Sequence, residues 1–254
     1  MNKILPIILV VVLSGCSGGS YSHVLLGGGH QTWDERNTNV LLHAEVNGLK
    51  MRHVRVKTID GYCKNGYLDI IELHGFIGSD STVMVKRMID RLEPCFNNDG
   101  EKVPNIVYLN SNGGYLFDGY AMGRLFRENE IKTVIADGVV CASSCAAAFI
   151  GGKYRAMGQG AKLVFHSPYN KTGVGIDCDN TGHTSGLKGY YSENLPKEDS
   201  ELLLERTLSY CSVNNGWTLN EGAAVLYNII NDKTTYFGYV CTPHWWYGEK
   251  YCWN

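Results

Sequence analysis

The 254-residue chain has no concentration of basic residues: 23 Lys and Arg are set against 25 Asp and Glu, for a net charge of −2. A nucleic-acid-binding protein carries a basic stripe or patch, so the composition argues against that class of partner. Zinc-binding spacing is missing as well. None of the nine cysteines forms C-x-x-C, no H-x-x-x-H occurs, and the histidines stand apart from the cysteines, so neither a metal nor another cofactor is expected. There is no internal repeat, which removes solenoids and propellers. The apolar run from Ile4 to Leu13 is about ten residues long, too short to span a bilayer. What remains, 44% hydrophobic and 19% charged, is a globular body of one domain with appendages.

Lys3, the apolar run and the small residues before Cys16 have the layout of a secretory signal. Leu13-Ser14-Gly15-Cys16 resembles the lipobox of bacterial lipoproteins. That resemblance implies removal of residues 1–15 and a diacylglycerol on the Cys16 thiol; Ser17 in place of an aspartate implies anchoring at the outer membrane, with the body in the periplasm. An unmodified Cys16 after ordinary cleavage is the alternative. The glycine- and serine-rich stretch 16–37 reads as a flexible tether.

Export changes how the other cysteines are read, because in an oxidising compartment an even number points to disulfides. Cys63 with Cys95, Cys141 with Cys145, Cys178 with Cys211 and Cys241 with Cys252 are the pairs that locality suggests, although sequence alone does not fix connectivity. The aromatic tail 241–254 then reads as a disulfide-pinned flap over the core or a contact in a homo-oligomer.

Along the body, V-L-L-H-A-E-V and L-K-M-R-H-V-R-V flank Asn47-Gly48, a strong hairpin signal within 38–60. Residues 61–240 alternate between strand and helix periodicity. L-D-I-I-E-L-H-G-F-I, N-I-V-Y-L-N, I-K-T-V-I-A and A-K-L-V-F-H read as strands; S-T-V-M-V-K-R-M-I-D-R-L, Tyr115 to Asn129, Ser143 to Ile150 and Leu219 to Ile230 read as helices. The fold class is therefore α/β, a parallel sheet with helical cover and right-handed crossovers. The polar stretch 170–200 reads as an insertion loop or lid.

Ligands of such sheets sit beyond the carboxyl ends of the strands. Three junctions there carry chemistry: N-S-N-G-G-Y at 110–115, C-A-S-S-C at 141–145, which opens a helix, and F-H-S-P with His166. In this order, with I-E-L-H-G-F-I before them and Arg155 between the last two, they resemble the Clp protease proteolytic subunit and its periplasmic relatives in the Clp/crotonase fold. The resemblance covers about residues 66–168, extends toward 240 in a domain bounded at 61–240, and implies a β-α-β superhelix. It also implies Ser143 as nucleophile, His166 as base, and the N–H groups of Gly114 and Ser144 as an oxyanion hole. It departs from the family at Asn112, where a proline that stiffens the turn is replaced, so a looser loop is expected. No clear acid follows the histidine; Asp232 stands nearest the expected place.

Each residue also has a plain structural reading. A serine before a helix commonly serves as an N-cap, and a strand-end histidine is ordinary. The functional reading is an exported, ATP-independent serine peptidase acting on a peptide or unfolded protein, with no ATPase partner. Two rivals stand beside it: a serine–lysine hydrolase like the signal-peptide peptidases, using Lys188, and a binding module that has lost its chemistry.

Overall fold

The structure is a computed structural model that describes residues 20–24, 30–34, 38–58, 62–172, 175–178, 184–211, 213–232, 241–243 and 250–252. Cys16 and the signal lie outside the described residues. Within the stretch read as a tether, Ser20–Val24 pairs antiparallel with His30–Asp34. Tyr21, Val24, Thr32 and Trp33 are strand-favouring residues that the glycine-rich composition masked.

In chain order the main elements of the body begin with β1 (Thr38–Val46), β2 (Leu49–Lys57), β3 (Tyr67–Gly75), α1 (Ser81–Ile89), β4 (Ile106–Asn110) and α2 (Leu116–Glu128). There follow β5 (Lys132–Ile135), β6 (Val140–Ala142), α3 (Ser144–Ile150), β7 (Tyr154–Met157) and β8 (Lys162–Phe165). The last elements are α4 (Thr184–Asn194), α5 (Lys197–Leu208), β9 (Trp217–Leu219) and α6 (Glu221–Leu226). The fold is mixed α/β around a largely parallel sheet.

Asn47 and Gly48 both take positive φ, 49° and 91°, which matches the twist of two paired strands and folds β1 back on β2. This hairpin is part of the main sheet, because β2 also pairs antiparallel with β3. From β3 onward the pairing is parallel, through β4 and β5 to β7. The fourth parallel strand is thus Tyr154–Met157, not the 161–166 segment that periodicity suggested. Arg155 hid it. This buried side chain donates to the carbonyls of Ile229 (2.6 Å) and Gly152 (3.0 Å), so a charge sits in the strand with its hydrogen bonds satisfied. Burial pulls its pKa down to about 10.

The segment expected as the fourth strand, β8, belongs to a second sheet, parallel to β6 and antiparallel to β9. A bridge between Ser111 and Cys141 joins this sheet to the end of β4. The helix expected over 219–230 is confined to Glu221–Leu226. Leu219 is taken by β9, Asn220 caps the helix by accepting from the Ala223 N–H at 2.9 Å, and Asn228 at φ 52° ends it. The expected loop 170–200 instead contains α4 and leads into α5.

Among the described residues, three disulfides join Cys63 to Cys95, Cys141 to Cys145 and Cys178 to Cys211. Cys241 and Cys252 are cross-strand partners in a two-stranded ribbon, and their side chains lie outside the described set. The helices carrying the site meet closely: a Cβ on Gly119 of α2 would come within 2.4 Å of the Ser144 carbonyl oxygen, so glycine alone lets α3 approach this near.

Candidate active site

The three junctions converge on one cavity of about 770 Å³ at the carboxyl ends of β3, β4 and β8. Gly113, Gly114, Ser143 and His166 all line it. Residues more than 50 positions apart in sequence are brought together by the parallel crossovers.

Strand β6 ends at Ala142 and α3 begins at Ser144, which leaves Ser143 alone in the turn, with φ 58° and ψ −125°. Such a conformation costs a residue other than glycine about 1–3 kcal/mol and persists only when its surroundings enforce it. They do so here on both sides: the Ser143 N–H donates to the Val164 carbonyl at 2.9 Å, and its own carbonyl accepts from the Ala147 N–H at 3.1 Å. The Cys141–Cys145 disulfide, with Cα atoms 5.3 Å apart, spans the turn. The Ser143 hydroxyl makes no capping bond to α3, so helix capping does not account for it. Ser144 differs: its side chain is buried against α2, and its Oγ has no hydrogen-bond partner among the described residues.

Opposite the turn lies the glycine loop. Gly113 has φ 96°, and a Cβ there would fall 2.6 Å from the Ser143 Cβ and 3.1 Å from the Ser144 nitrogen. The loop is not loose, despite Asn112. The Gly113 N–H donates to Ser111 Oγ at 2.9 Å, the Ile77 N–H donates to the Gly113 carbonyl at 3.0 Å, and the Tyr115 N–H donates to the Ile77 carbonyl at 2.8 Å. The Gly114 N–H has no partner among the described residues, and Ser144 opens a helix whose first N–H groups have no intrahelical acceptor. Two unspent donors therefore flank Ser143, where the positive end of the helix dipole adds to them.

His166 follows β8. Its Nδ1 lies 2.8 Å from the Ser167 carbonyl oxygen. A carbonyl only accepts, so Nδ1 carries the proton and Nε2 keeps its lone pair. Burial pushes the imidazole pKa below its ordinary 6.5, and the bond to the Ser167 carbonyl partly offsets that. Ser143 and His166 open on the same cavity without a direct hydrogen bond to each other among the described residues. Such bonds commonly close only once substrate is bound.

Asp232 is not in this site. Its carboxylate lies 2.8 Å from Lys132 Nζ, and its N–H donates to the Arg155 carbonyl at 3.2 Å. Lys132 is the first residue of β5 and pairs with Ile106, the first of β4, so Asp232 sits at the amino ends of the strands. At 3.3 Å per residue the carboxyl end of β4 is about 13 Å away, and the glycine loop lies past it. Asp232→Asn is therefore expected to leave any hydrolysis unchanged and to lower stability by about 1–2 kcal/mol through the weakened ion pair, measured by urea denaturation.

Lys188 is likewise misplaced for a serine–lysine pair. Helix α4 turns Leu187 and Tyr191 into the cavity and leaves Lys188 on its exposed side. Tyr190 locks the helix: its hydroxyl donates to the Ala147 carbonyl at 2.7 Å, and its ring stacks on Tyr120 at 4.5 Å. Arg124 pairs with Glu193 through two bonds of 2.9 and 3.0 Å. Sequence reasoning missed this wall, although Leu187, Tyr190, Tyr191 and Asn194 stand at helical spacing. It also missed the Ser167 carbonyl, which no side-chain motif reveals.

No family model matches the chain, and no curated protein matches it. Among solved structures, it is similar to a mutant of the 1510-N membrane-bound stomatin-specific protease, at 16% identity over 61% of this chain and 73% of that one, with a TM-score of 0.46. Another mutant of that protease, in complex with a substrate peptide, aligns at 15% identity over 73% of this chain and 85% of the other, also with a TM-score of 0.46. A mutant of ClpP1 from Listeria monocytogenes aligns at 14% identity over 61% of this chain and 85% of that one, with a TM-score of 0.45.

Proposed function

We propose that the chain is a serine peptidase working by acyl transfer to water. The observation that carries this reading is the Ser143 backbone. A serine held at φ 58° between a strand and a helix, its hydroxyl unused for capping and facing a cavity, has no structural benefit that glycine would not supply more cheaply. The same arrangement exposes a nucleophile above a sheet.

In the proposed reaction, neutral His166 takes the Ser143 proton at Nε2 as Oγ attacks the peptide carbonyl carbon. The carbonyl oxygen gains negative charge and is held by the N–H groups of Gly114 and Ser144. The imidazolium then gives its proton to the leaving amine, and the amine departs from an acyl-Ser143 ester. Water, deprotonated by the same imidazole, releases the acid and restores the serine.

The substrate proposed is a peptide or an unfolded segment of a protein. We place the enzyme in a bacterial envelope, anchored by lipid on Cys16, without an ATP-driven partner; the layout of residues 1–16 and the disulfides support this reading. Cys16→Ser should then move the protein from the membrane to the soluble fraction, and identical fractionation of mutant and parent defeats the anchor.

A fluorophosphonate probe tests the enzyme itself, because it labels only an activated serine. Labelling at Ser143 is expected; a folded parent that never labels at any pH is instead a binding module. The pH dependence follows from the depressed His166 pKa. The base works when neutral, so activity falls as pH drops through the folded-state pKa, and the acid limb of kcat/KM is expected to have its midpoint below pH 6.5. A midpoint above 7 would mean that a carboxylate supports the imidazole after all.

A further inference from the structure

Resting on the peptidase reading, we infer that the third partner of Ser143 and His166 is a main-chain carbonyl, that of Ser167, and that the Cys178–Cys211 disulfide braces it. No Asp or Glu is among the described residues lining the cavity, and the His166 ring has its one hydrogen bond among the described residues with the Ser167 oxygen, at 2.8 Å. The segment bearing that oxygen is not left to its own stiffness. The Ser167 N–H donates to the Tyr210 carbonyl at 2.6 Å, which ties the peptide after His166 to the end of α5. Tyr210 immediately precedes Cys211, whose disulfide to Cys178 pins that end to the antiparallel pair of short strands Asn170–Thr172 and Gly175–Asp177 that lies before α4. One connected path thus runs from a covalent cross-link through Tyr210 and Ser167 to the base.

The substitution has a chemical consequence. A carbonyl fixes the ring orientation and keeps the proton on Nδ1, as a carboxylate does, but it brings a dipole and no charge. The imidazolium is then less stabilised, in keeping with the lowered basicity of His166. Ser167, Tyr210 and the two cysteines are positioning residues. They act through His166 and touch no reacting atom.

Nitrogen-15 NMR of histidine-labelled parent protein at pH 8 reads the tautomer directly. A protonated Nδ1 and bare Nε2 at His166 are expected, and the Nε2–H tautomer overturns the inference whatever the variants do. Removing the brace with the Cys178→Ala, Cys211→Ala pair should lower kcat about 10- to 100-fold through misplacement of the base, with KM little changed, and should mix the two tautomers. The Cys63→Ala, Cys95→Ala pair, whose bond lies away from the cavity, should lower Tm and leave kcat of the folded enzyme as it was. Parental kcat in the first pair overturns the brace. A parent with the Nδ1–H tautomer that never reacts with fluorophosphonate overturns the peptidase reading instead, and with it the role given to the carbonyl.

Discussion

Ser143→Ala should abolish both fluorophosphonate labelling and peptide hydrolysis, a fall on the order of a million-fold in kcat, while leaving the melting temperature almost unchanged. The hydroxyl makes no capping bond to α3, so its removal leaves no helix donor newly unsatisfied. Ser143→Gly should be equally inactive yet more stable than the parent by about 1 kcal/mol, because glycine accepts φ 58° without the cost that serine bears. The pair of results separates function from structure. A residue kept for stability would lose it on replacement, whereas one kept for chemistry would show the opposite sign with glycine. Hydrolysis that survives in either variant removes Ser143 from the mechanism and moves the search to another hydroxyl.

Gly113→Ala is expected to damage the enzyme by a different route and to a smaller extent. The added methyl group would stand 2.6 Å from the Ser143 Cβ and 2.7 Å from the Ala142 carbonyl oxygen, distances that no packed structure tolerates. The residue also sits at φ 96°, a conformation hostile to a side chain. The loop must withdraw, taking the Gly114 N–H away from the place where the oxyanion forms. Loss of one such donor costs about 100- to 1,000-fold in kcat. Stability should fall as well, by about 1–3 kcal/mol for the misplaced backbone. Kinetics on the folded fraction would show the loss in kcat more than in KM. An active Gly113→Ala enzyme would place the oxyanion elsewhere.

The parts of the fold legible in the sequence were those fixed by local chemistry. Asn47-Gly48 announces its turn because both residues accept positive φ, and β4 announces itself as a wholly buried apolar run. The junctions that bring Gly113, Ser143 and His166 to one cavity were equally readable, since each combines a strand end with an unusual residue. What escaped depended on partners distant in the chain. The strand around Arg155 could be placed only once the carbonyls of Gly152, Asn228 and Ile229 were known to receive its guanidinium. Asp232 looked like an acid for His166 because order along the chain was the sole guide. In space it answers Lys132 at the other end of the strands. The Ser167 carbonyl was invisible for a simpler reason: every residue has one, and only geometry says which is used.

The disulfides carry a consequence for how the chain is made. Each described bond joins a cysteine to the next one along the sequence, across separations of 32, 4 and 33 residues. The six cysteines of these bonds can be paired in fifteen ways, yet with the Cys16 thiol blocked by lipid, as proposed, a chain oxidised from its amino end would form this set by closing each thiol on its first successor. No bond has to wait for a distant part of the chain, and none has to be broken to let another form. Under that reading, oxidation in step with synthesis would reach these three bonds without a reshuffling step.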